Sequence, residues 1–426
     1  MNFILLTVDC LRADHLSCYG YDRPTTPEID DLADSGTVFT NAFSASSHTP
    51  EAIPALLSGW PPDIFSDNEY QFVAEGIPGN LSKIGYDTAG VHSNVNISRL
   101  YGYNDHFDYF FDDLYVGKYR AIARAQRLLK KFLFSRPLYY ARATAINSKC
   151  LDWLEHRSSD QPFFFWAHYM DVHGPYNPPE KTRGLFGRTE LDSNEVKSLF
   201  QRAMDAPDTL TEAERKSLID LYDEEIRYTD AEIGKLLSSL YERGLLEDTV
   251  VMLTADHGDG FGENGYYNHP RRLDEELLHV PMIVSGPGWS GTNIDIPVST
   301  LDIFPTLLKA AGETDVQSEG IALQKIRDDL EAYQDRLVFS SARGEDEEAN
   351  RRRYCVQNAL ERRTLEVSIG GEPPNNGGSG DSLDTRLREY VRRRMKASTR
   401  VETETEGHHD VDEDEVESRL EALGYK

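Results

Sequence analysis

Three largely apolar runs, each followed by polar residues, constrain the fold of this chain more than any other feature. The runs cover residues 3–8, 161–167 and 249–255. Such runs are typical of strands that are buried on both faces of a parallel sheet. In open α/β sheets the functional groups lie beyond the carboxyl ends of the strands. The sequence therefore predicts an α/β fold whose site is built from the residues that follow these runs.

The residues that follow the first and third runs suit a divalent cation. Asp9 ends the first run, and Asp256 and His257 follow the third. Carboxylates bind hard cations, and an imidazole shifts the preference from Ca²⁺ towards Mn²⁺ or Zn²⁺. Alone, Asp9 could be a solvated strand end and the Asp-His-Gly sequence an ordinary turn. These residue types can hold a metal ion at the ends of the strands.

Residues 46–59 read as a loop that delivers a hydroxyl group to the start of a short helix. Thr49 is a favourable N-cap, Pro50 suits the first helical position, and Gly59 ends the helix. A helix N-terminus favours anions, so Thr49 would lie where an oxyanion ester binds. Most Thr-Pro pairs of this kind only cap a helix, and Pro54 predicts an irregular start.

Four strings carry a resemblance to a known family. They are TVDCLRADHLSCYGY, RPTTPEIDDLADSGTVFTNAFS, HYMDVHGPY and TADHGDGFGENGYYNHP. Together they resemble the sulfatase-like branch of the alkaline phosphatase superfamily. The resemblance implies an α/β sandwich with a mostly parallel central sheet flanked by helices. A small C-terminal α+β part would follow, giving a catalytic domain at 1–315, a subdomain at 316–400 and an acidic linker with a terminal helix at 401–426.

The resemblance also implies a metal site and a nucleophile. One divalent ion, Mn²⁺ or Ca²⁺ with Zn²⁺ as a further candidate, would be held by Asp9, Thr49, Asp256 and His257. Many sulfatases carry a Cys or Ser at the position of Thr49, which is oxidised to formylglycine. Because Thr cannot be converted in that way, the site resembles the Thr-nucleophile members of the superfamily.

Two positions depart from the sulfatase pattern. Ile53 stands where that pattern has an Arg, and Cys10 stands where many sulfatases have a second Asp. Because Cys10 replaces a carboxylate, the departure suggests fewer oxygen ligands than a calcium sulfatase uses.

The same resemblance assigns the remaining site residues. His173 and His269 would stabilise the transition state or protonate the leaving group. Asn94 and Arg12 are candidates for substrate binding, although Arg12 could instead pair with Asp14.

Three functions follow from these assignments. The first is metal-dependent hydrolysis of a sulfate or phosphate ester, of a small molecule or glycan, through a covalent intermediate on Thr49. The second is a phosphodiesterase, or a transferase that moves a phosphate-containing head group to a glycan or lipid. The third is a non-catalytic binding protein that keeps the fold. Glu51 and Ile53 slightly favour the third, since neither helps to bind an anion.

Composition limits the classes of binding partner and the cellular compartment that we expect for this protein. Asp and Glu number 73 against 45 Lys and Arg, a formal charge of −28, which argues against nucleic acid and anionic membranes. This acidity suggests adaptation to high salt. The four cysteines lack ligand spacing, no apolar run is long enough for a transmembrane segment, and a core strand follows Met1 at once. We expect a soluble cytoplasmic protein, and no feature points to a particular oligomer.

The pattern elsewhere predicts several further elements. A long amphipathic helix is expected near 218–240, and strands are expected at 337–340 and 354–356. Residues 115–149 are expected to form an Arg-rich, mostly helical insertion, either a lid or an exposed helical pair. A basic helix should cover 383–396, with a Gly-rich loop before it.

Overall fold

The computed structural model describes residues 1–113, 140–157, 160–187, 191–314, 316–375, 382–397 and 419. Most of the predicted insertion at 115–149 and nearly all of the acidic linker at 401–426 lie outside these residues.

An eight-stranded sheet forms the centre of the molecule. Its strands are β1 Asn2–Val8, β2 Thr37–Phe39, β4 Asp87–Val91, β5 Tyr109–Phe111, β6 Phe163–Tyr169, β7 Thr249–Ala255, β10 Met282–Ser285 and β11 Thr292–Ile294. They lie in the order β11-β2-β10-β7-β1-β6-β4-β5. β1 pairs in parallel with β6 and β7, whereas β10 runs antiparallel to both of its neighbours. The predicted mostly parallel sheet is therefore confirmed.

Helices cover both faces of this sheet, because its central strands are apolar on both sides. In β1, Ile4 and Leu6 belong to one hydrophobic core, whereas Phe3 and Leu5 belong to the other. The α-helices are Pro27–Ser35, Thr49–Ser58, Pro62–Asp67, Gly76–Lys83, Ala143–His156, Ser193–Asp205, Glu212–Glu242, Glu275–Leu278, Ile303–Ala310, Leu323–Asp328, Leu330–Tyr333 and Leu383–Lys396. This arrangement is the α/β sandwich that the sequence predicts.

The register of β1 and β7 determines where the site forms. Val8 lies opposite Ala255 at the ends of these adjacent strands. The next residue on each strand is Asp9 or Asp256, so the two carboxylates leave the sheet side by side. Cys10 then takes a left-handed conformation, with φ of 60°, as the chain turns away from the sheet.

The helix Thr49–Ser58 differs from its prediction at the start. Its N-cap is His48 rather than Thr49, so Thr49 is the first helical residue. The Thr49 hydroxyl donates to Asp256 Oδ2 instead of capping the helix. Gly59 ends the helix with φ of 67°, as expected for a left-handed C-terminal residue.

A second, three-stranded antiparallel sheet follows the large one in the chain. It consists of β13 Val338–Arg343, β14 Arg351–Gln357 and β15 Arg362–Ser368. The first two contain the predicted strands, whereas β15 was not predicted because its alternating side chains are mostly polar. Four short strands form two further pairs among the described residues. β3 Ala42–Phe43 pairs with β12 Val298–Ser299, and β8 Gly260–Phe261 pairs with β9 Tyr267–Asn268.

Hydrogen bonds join this small sheet to the loop that carries the nucleophile candidate. Ser341 N donates to Ala45 O at 2.9 Å, and Ser340 Oγ donates to Ser44 O at 2.6 Å. The helix Leu383–Lys396 packs against β14 and β15, and the domain boundaries at 315 and 400 stay predictions.

In the described part of the chain, no helix is both long enough and apolar enough to span a membrane. Cys10, Cys18, Cys150 and Cys355 are free thiols.

Candidate active site

The ends of β1 and β7 bring three predicted metal ligands together. Oxygen atoms of Asp9 and Asp256 and a ring nitrogen of His257 lie within 4.8 Å of one another, and all three side chains are fully buried. Burial and the charge of Asp9 raise the pKa of Asp256. The two carboxylates therefore repel each other in a site from which water is excluded.

The protonation of His257 follows from its neighbours. Its Nδ1 lies 2.9 Å from the carbonyl oxygen of Gly258, which can only accept a hydrogen bond, so Nδ1 carries the hydrogen. In the neutral ring, Nε2 then presents a lone pair. This atom lies 3.1 Å from Thr49 Oγ1 and 3.8 Å from an oxygen of Asp9.

These side chains contain more hydrogen-bond acceptors than hydrogens that could be donated to them. Thr49 Oγ1 donates its one hydrogen to Asp256 Oδ2 at 2.8 Å. When the His257 ring is neutral, its Nε2 and Asp9 Oδ1 are both acceptors, and they lie 3.8 Å apart. Two carboxylates, one imidazole and one hydroxyl that converge in this way fit a divalent cation.

Two further side chains orient one oxygen of Asp9. Asn94 Nδ2 and His168 Nε2 both contact Asp9 Oδ2, at 3.0 and 3.2 Å. Burial alone would raise the pKa of Asp9, but the hydrogen bond from His168 and the charges of His173 and His257 hold it well below its usual range. The other oxygen, Oδ1, accepts from Cys10 Sγ at 3.2 Å and lies on the side of the shared space.

A chain of hydrogen bonds fixes the tautomer of His168. Trp166 Nε1 can only donate, so Thr7 Oγ1 accepts from it at 2.9 Å. The Thr7 hydroxyl is then free to donate to His168 Nδ1, also at 2.9 Å. Nδ1 is thus an acceptor, and Nε2 carries the hydrogen that reaches Asp9. We call the chain Trp166–Thr7–His168 the Asp9 relay.

His173 and His269 form a pair beside these ligands. His173 Nδ1 donates to Gly174 O at 2.6 Å, so its Nε2 is an acceptor when the ring is neutral. His269 Nε2 lies 3.0 Å from that atom. Burial and the charges of His257 and His173 hold the pKa of His269 well below its ordinary value. One hydrogen therefore lies between the two Nε2 atoms.

Two residues near the site had no distinct signal in the sequence. The ring of His48, which directly precedes Thr49, lies 5.8 Å from the ring of His269 between centroids. Arg271 follows His269 by two residues, is buried, and donates to the Tyr70 hydroxyl at 3.2 Å. Position next to a nucleophile could have indicated His48, whereas nothing in the sequence pattern indicates Arg271.

The two predicted substrate-binding residues have partners within the protein. Asn94 holds Asp9 and accepts from Asn96 N at 2.9 Å. All three side-chain nitrogens of Arg12 contact Asp14, Glu263 or a backbone oxygen. Substrate binding by either residue stays a prediction, and for Arg12 the contacts support the alternative, a pair with Asp14.

The residues that replace the sulfatase pattern beside Thr49 have structural roles. Ile53 is fully buried in the hydrophobic core. Glu51 accepts from Ser46 Oγ at 2.9 Å and from Arg343 N at 3.2 Å, so it connects the nucleophile loop to β13. Both residues therefore have a structural role in this fold.

Known proteins resemble this chain in sequence. The sulfatase family model matches residues 1–313. A sulfatase of Formosa agariphila is 24% identical over 391 residues, which cover 80% of this chain and 75% of the relative. The arylsulfatase of Clostridium perfringens is 24% identical over 400 residues, covering 81% and 82%.

Solved structures share the fold at identities below 25%. One, in complex with its substrate D-glucosamine-2-N,6-O-disulfate, has a TM-score of 0.66 at 19% identity and covers 93% of this chain and 97% of its own. The phosphonate monoester hydrolase of Agrobacterium radiobacter has a TM-score of 0.66 at 17% identity, covering 92% and 96%. The periplasmic domain of a phosphoethanolamine transferase from Campylobacter jejuni has a TM-score of 0.53 at 21% identity, covering 74% and 90%. Because the family model covers most of the chain, this protein belongs to the sulfatase family of ester hydrolases.

Proposed function

We propose that this protein is a divalent-metal-dependent hydrolase of a sulfate or phosphate ester that uses Thr49 as its nucleophile. The observation that carries the proposal is the position of Thr49 Oγ1, 2.8 Å from Asp256 Oδ2 and 3.1 Å from His257 Nε2. A hydroxyl at the first position of a helix, among buried metal-ligand types, is placed to attack an ester.

Asp9, Asp256 and His257 would hold the metal ion, with Thr49 as a fourth ligand. A bound Mn²⁺, Ca²⁺ or Zn²⁺ would lower the pKa of the Thr49 hydroxyl and offset negative charge on the ester oxygens. The Asp9 relay and Asn94 keep Asp9 turned towards the ion.

The chain's own residues supply the proton steps. Thr49 directs its hydrogen at Asp256 Oδ2, so its lone pairs are available to the sulfur or phosphorus atom. As the bond from Oγ1 forms, the Thr49 hydrogen passes to Asp256, and the leaving oxygen takes a proton from the His173–His269 pair, which acts as an acid when it carries one proton more than the two neutral rings. Water then attacks the sulfur or phosphorus atom of the esterified Thr49 and gives one proton to the His173–His269 pair, while Thr49 Oγ1 leaves and regains its hydrogen from Asp256.

A second candidate lies on the phosphoester side of the superfamily. A sulfated threonine lacks the aldehyde hydrate through which formylglycine enzymes release sulfate, whereas a threonine phosphoester can be displaced by water or by an alcohol. The likeness to a phosphonate monoester hydrolase and a phosphoethanolamine transferase fits this candidate. A phosphodiesterase would use water as the acceptor, and a head-group transferase would use a hydroxyl of a glycan or lipid.

A paired assay tests both candidates. Purified protein in high salt with Mn²⁺, Ca²⁺ or Zn²⁺ would be given an aryl sulfate, an aryl phosphate monoester and an aryl phosphodiester. We expect turnover of at least one ester, reduced about a thousandfold or more in Thr49→Ala. Ser58→Ala is the matched control, since Ser58 lies at the other end of the same helix and bonds Pro54 O.

The outcomes separate the mechanisms. A Thr49 adduct seen by mass spectrometry after rapid quenching would support the covalent step. Phosphoester turnover that rises with added alcohol would favour a transferase. Turnover that survives in Thr49→Ala would overturn the proposal, because water would then be the attacking group.

A further inference from the structure

The loops that follow three adjacent strands meet at one buried residue. β7, β1 and β6 are neighbours in the central sheet and run in parallel, so their carboxyl ends lie at the same edge. Asp259 lies in the loop after β7, two residues beyond His257, and it is fully buried. Its side chain and its backbone each accept a hydrogen bond from one of the other two loops. The proposed mechanism gives this residue no role.

The carboxylate of Asp259 binds the loop that follows β6. Tyr176 Oη donates to Asp259 Oδ2 at 2.5 Å, and Gly260 N donates to Oδ1 at 3.1 Å. Tyr176 is 1% exposed, and its ring packs edge-on against Phe200. Because both partners are buried, the loss of one would leave the other without a hydrogen bond from water to replace it.

The backbone of Asp259 binds the loop that follows β1. Arg12, three residues after Asp9, donates from Nη1 to Asp259 O at 3.0 Å. Two carboxylates pair with the same guanidinium and hold it in place. The segments that carry Asp9, His173 and His257 are therefore joined at this one residue.

The position of Tyr176 determines that of the His173 ring, because the chain between them is confined. His173 Nδ1 donates to the carbonyl oxygen of the next residue, Gly174, at 2.6 Å. A β-carbon at Gly174 would lie 2.2 Å from the ring of Phe200, so the backbone packs directly against that ring. A shift of Tyr176 would move the Gly174 carbonyl group, and with it the imidazole that donates to it.

The hydrogen bond between the two histidines depends on where the His173 ring lies. Its Nε2 is 3.0 Å from His269 Nε2, and His269 belongs to a different loop, after β9. A hydrogen bond between two ring nitrogens needs a short distance and a nearly linear hydrogen. A displaced His173 ring would therefore break the pair, whereas the candidate metal ligands would stay where β1 and β7 place them.

We propose that Asp259 is a positioning residue that, through Tyr176, holds the His173–His269 pair at hydrogen-bonding distance beside the candidate metal ligands. Where it concerns catalysis, the inference rests on the proposed function, because the pair is the proton donor of that mechanism. The hydrogen bond within the pair can be measured whether or not the protein turns over an ester. Asp259 acts through Tyr176 and takes no proton in the reaction.

The first test observes the pair directly. Nuclear magnetic resonance of protein labelled with nitrogen-15 in its histidine rings separates ring nitrogens that carry a hydrogen from those that accept one. We expect the wild type to show one hydrogen-bonded Nε2–H between the two rings, and His173→Asn, which lacks it, identifies the signal. Tyr176→Phe removes only the donor to Asp259, and we expect it to abolish this signal.

Tyr169→Phe is the matched control. Tyr169 lies in β6 and is fully buried, and its hydroxyl donates to Asn147 Oδ1 at 2.8 Å, on the helix Ala143–His156. Each variant removes one buried hydroxyl and one hydrogen bond, so thermal unfolding should show a loss of stability in both. Only Tyr176→Phe should change the histidine pair.

The second test separates positioning of the pair from support of the metal site. Tyr176→Phe should reduce kcat about tenfold for alkyl esters, whose leaving group needs a proton, and leave esters of acidic nitrophenols within about twofold. Metal affinity, measured by competition with a chelator, should also stay within about twofold. Asp259→Ala should behave in the same way, and Asp259→Asn, which keeps one acceptor for Tyr176, should lie between it and the wild type. If Asp259→Ala does not fold, Tyr176→Phe serves instead.

The outcomes distinguish this inference from the proposed function. If no ester turns over but the shared hydrogen is lost only in Tyr176→Phe, the inference stands and the hydrolase assignment fails. The inference is wrong if the wild type lacks the shared hydrogen, if Tyr169→Phe and Tyr176→Phe change the pair equally, or if both classes of ester lose activity equally. A loss of metal affinity in Tyr176→Phe would also overturn it, because Asp259 would then support His257 instead of the pair.

Discussion

The candidate site has two walls that are built in different ways. The strand wall, Asp9, Asp256 and His257, is carried by adjacent parallel strands and oriented by hydrogen bonds to backbone and neutral side chains. The loop wall, His173, His269 and Arg271, is carried by turns.

Ion pairs hold part of the loop wall in place. Arg142 lies between Asp171 and Glu225, and it donates to the backbone oxygen of Asn177 in the turn that follows His173. Glu225 accepts from Asn177 N at 2.8 Å. The comparison shows that paired strands fix the candidate metal ligands, whereas ion pairs hold the turn that follows His173.

The largest expected effect comes from the strand wall. Asp256→Asn removes a charged ligand candidate and the acceptor of the Thr49 hydrogen at once. We expect metal affinity to fall at least about a hundredfold and turnover at least about a thousandfold. Competition with a chromogenic chelator measures the affinity. If Asp256→Asn binds metal as tightly as the wild type, the strand wall does not form the metal site.

A smaller effect is expected from the loop wall, and it should depend on the leaving group. His173→Asn removes one partner of the pair that holds the transferable hydrogen. Alkyl esters need that proton, so their kcat should fall about a hundredfold or more. Esters of acidic nitrophenols need it little and should lose much less. Equal losses of kcat for both classes of ester, or a loss of metal affinity, would contradict this prediction. His173 would then support metal binding, as the strand wall does, instead of protonating the leaving group.

The Asp9 relay gives a sharper test of the strand wall. Thr7→Val keeps the shape of the side chain but removes the hydroxyl that joins Trp166 to His168. Without it the His168 tautomer is no longer fixed, and we expect metal affinity to fall about tenfold. Thr7→Ser keeps the hydroxyl and is the matched control. If the Val and Ser variants bind metal alike, the relay does not orient Asp9.

The strand wall could be predicted from the sequence, and the reason is local. Asp9 and Asp256 directly follow apolar runs, so a parallel sheet with adjacent strands was enough to bring them together. Thr49 depended on the resemblance, because its helix start alone reads as an ordinary cap. In the structure, the Thr49 hydroxyl instead donates a hydrogen bond to Asp256 Oδ2.

The loop wall could be predicted only in part. His173 and His269 were indicated by motifs, but their direct contact joins residues 96 positions apart that no strand pairing connects. Arg271 and Tyr70 were missed because a strained turn and a loop meet there without any periodic pattern. Likewise, β15 alternates mostly polar side chains at the edge of the small sheet, so hydrophobic periodicity could not reveal it.

The smallest effect concerns how pH acts on the ion pairs that support the loop wall. Burial raises the pKa of Glu225 to about 7 and that of Asp171 to about 6, although Arg142 opposes both shifts. Between the ordinary carboxyl pKa and about 7, the folded protein holds a proton that the unfolded chain has released. The free energy of unfolding therefore decreases as pH rises through this window.

Glu225→Gln removes one of the two titrating groups. We expect the decrease in unfolding free energy between pH 5 and pH 7 to shrink by about 1 kcal/mol, measured by urea unfolding at each pH. Glu232→Gln, on the same helix, is the control. Burial would raise the pKa of Glu232, but Lys181 and Lys235 lower it, so its contribution is lost only at lower pH. If both variants keep the wild-type dependence of unfolding free energy on pH, the loop wall is no more sensitive to pH than the strand wall. The two walls then differ only in the elements that carry them.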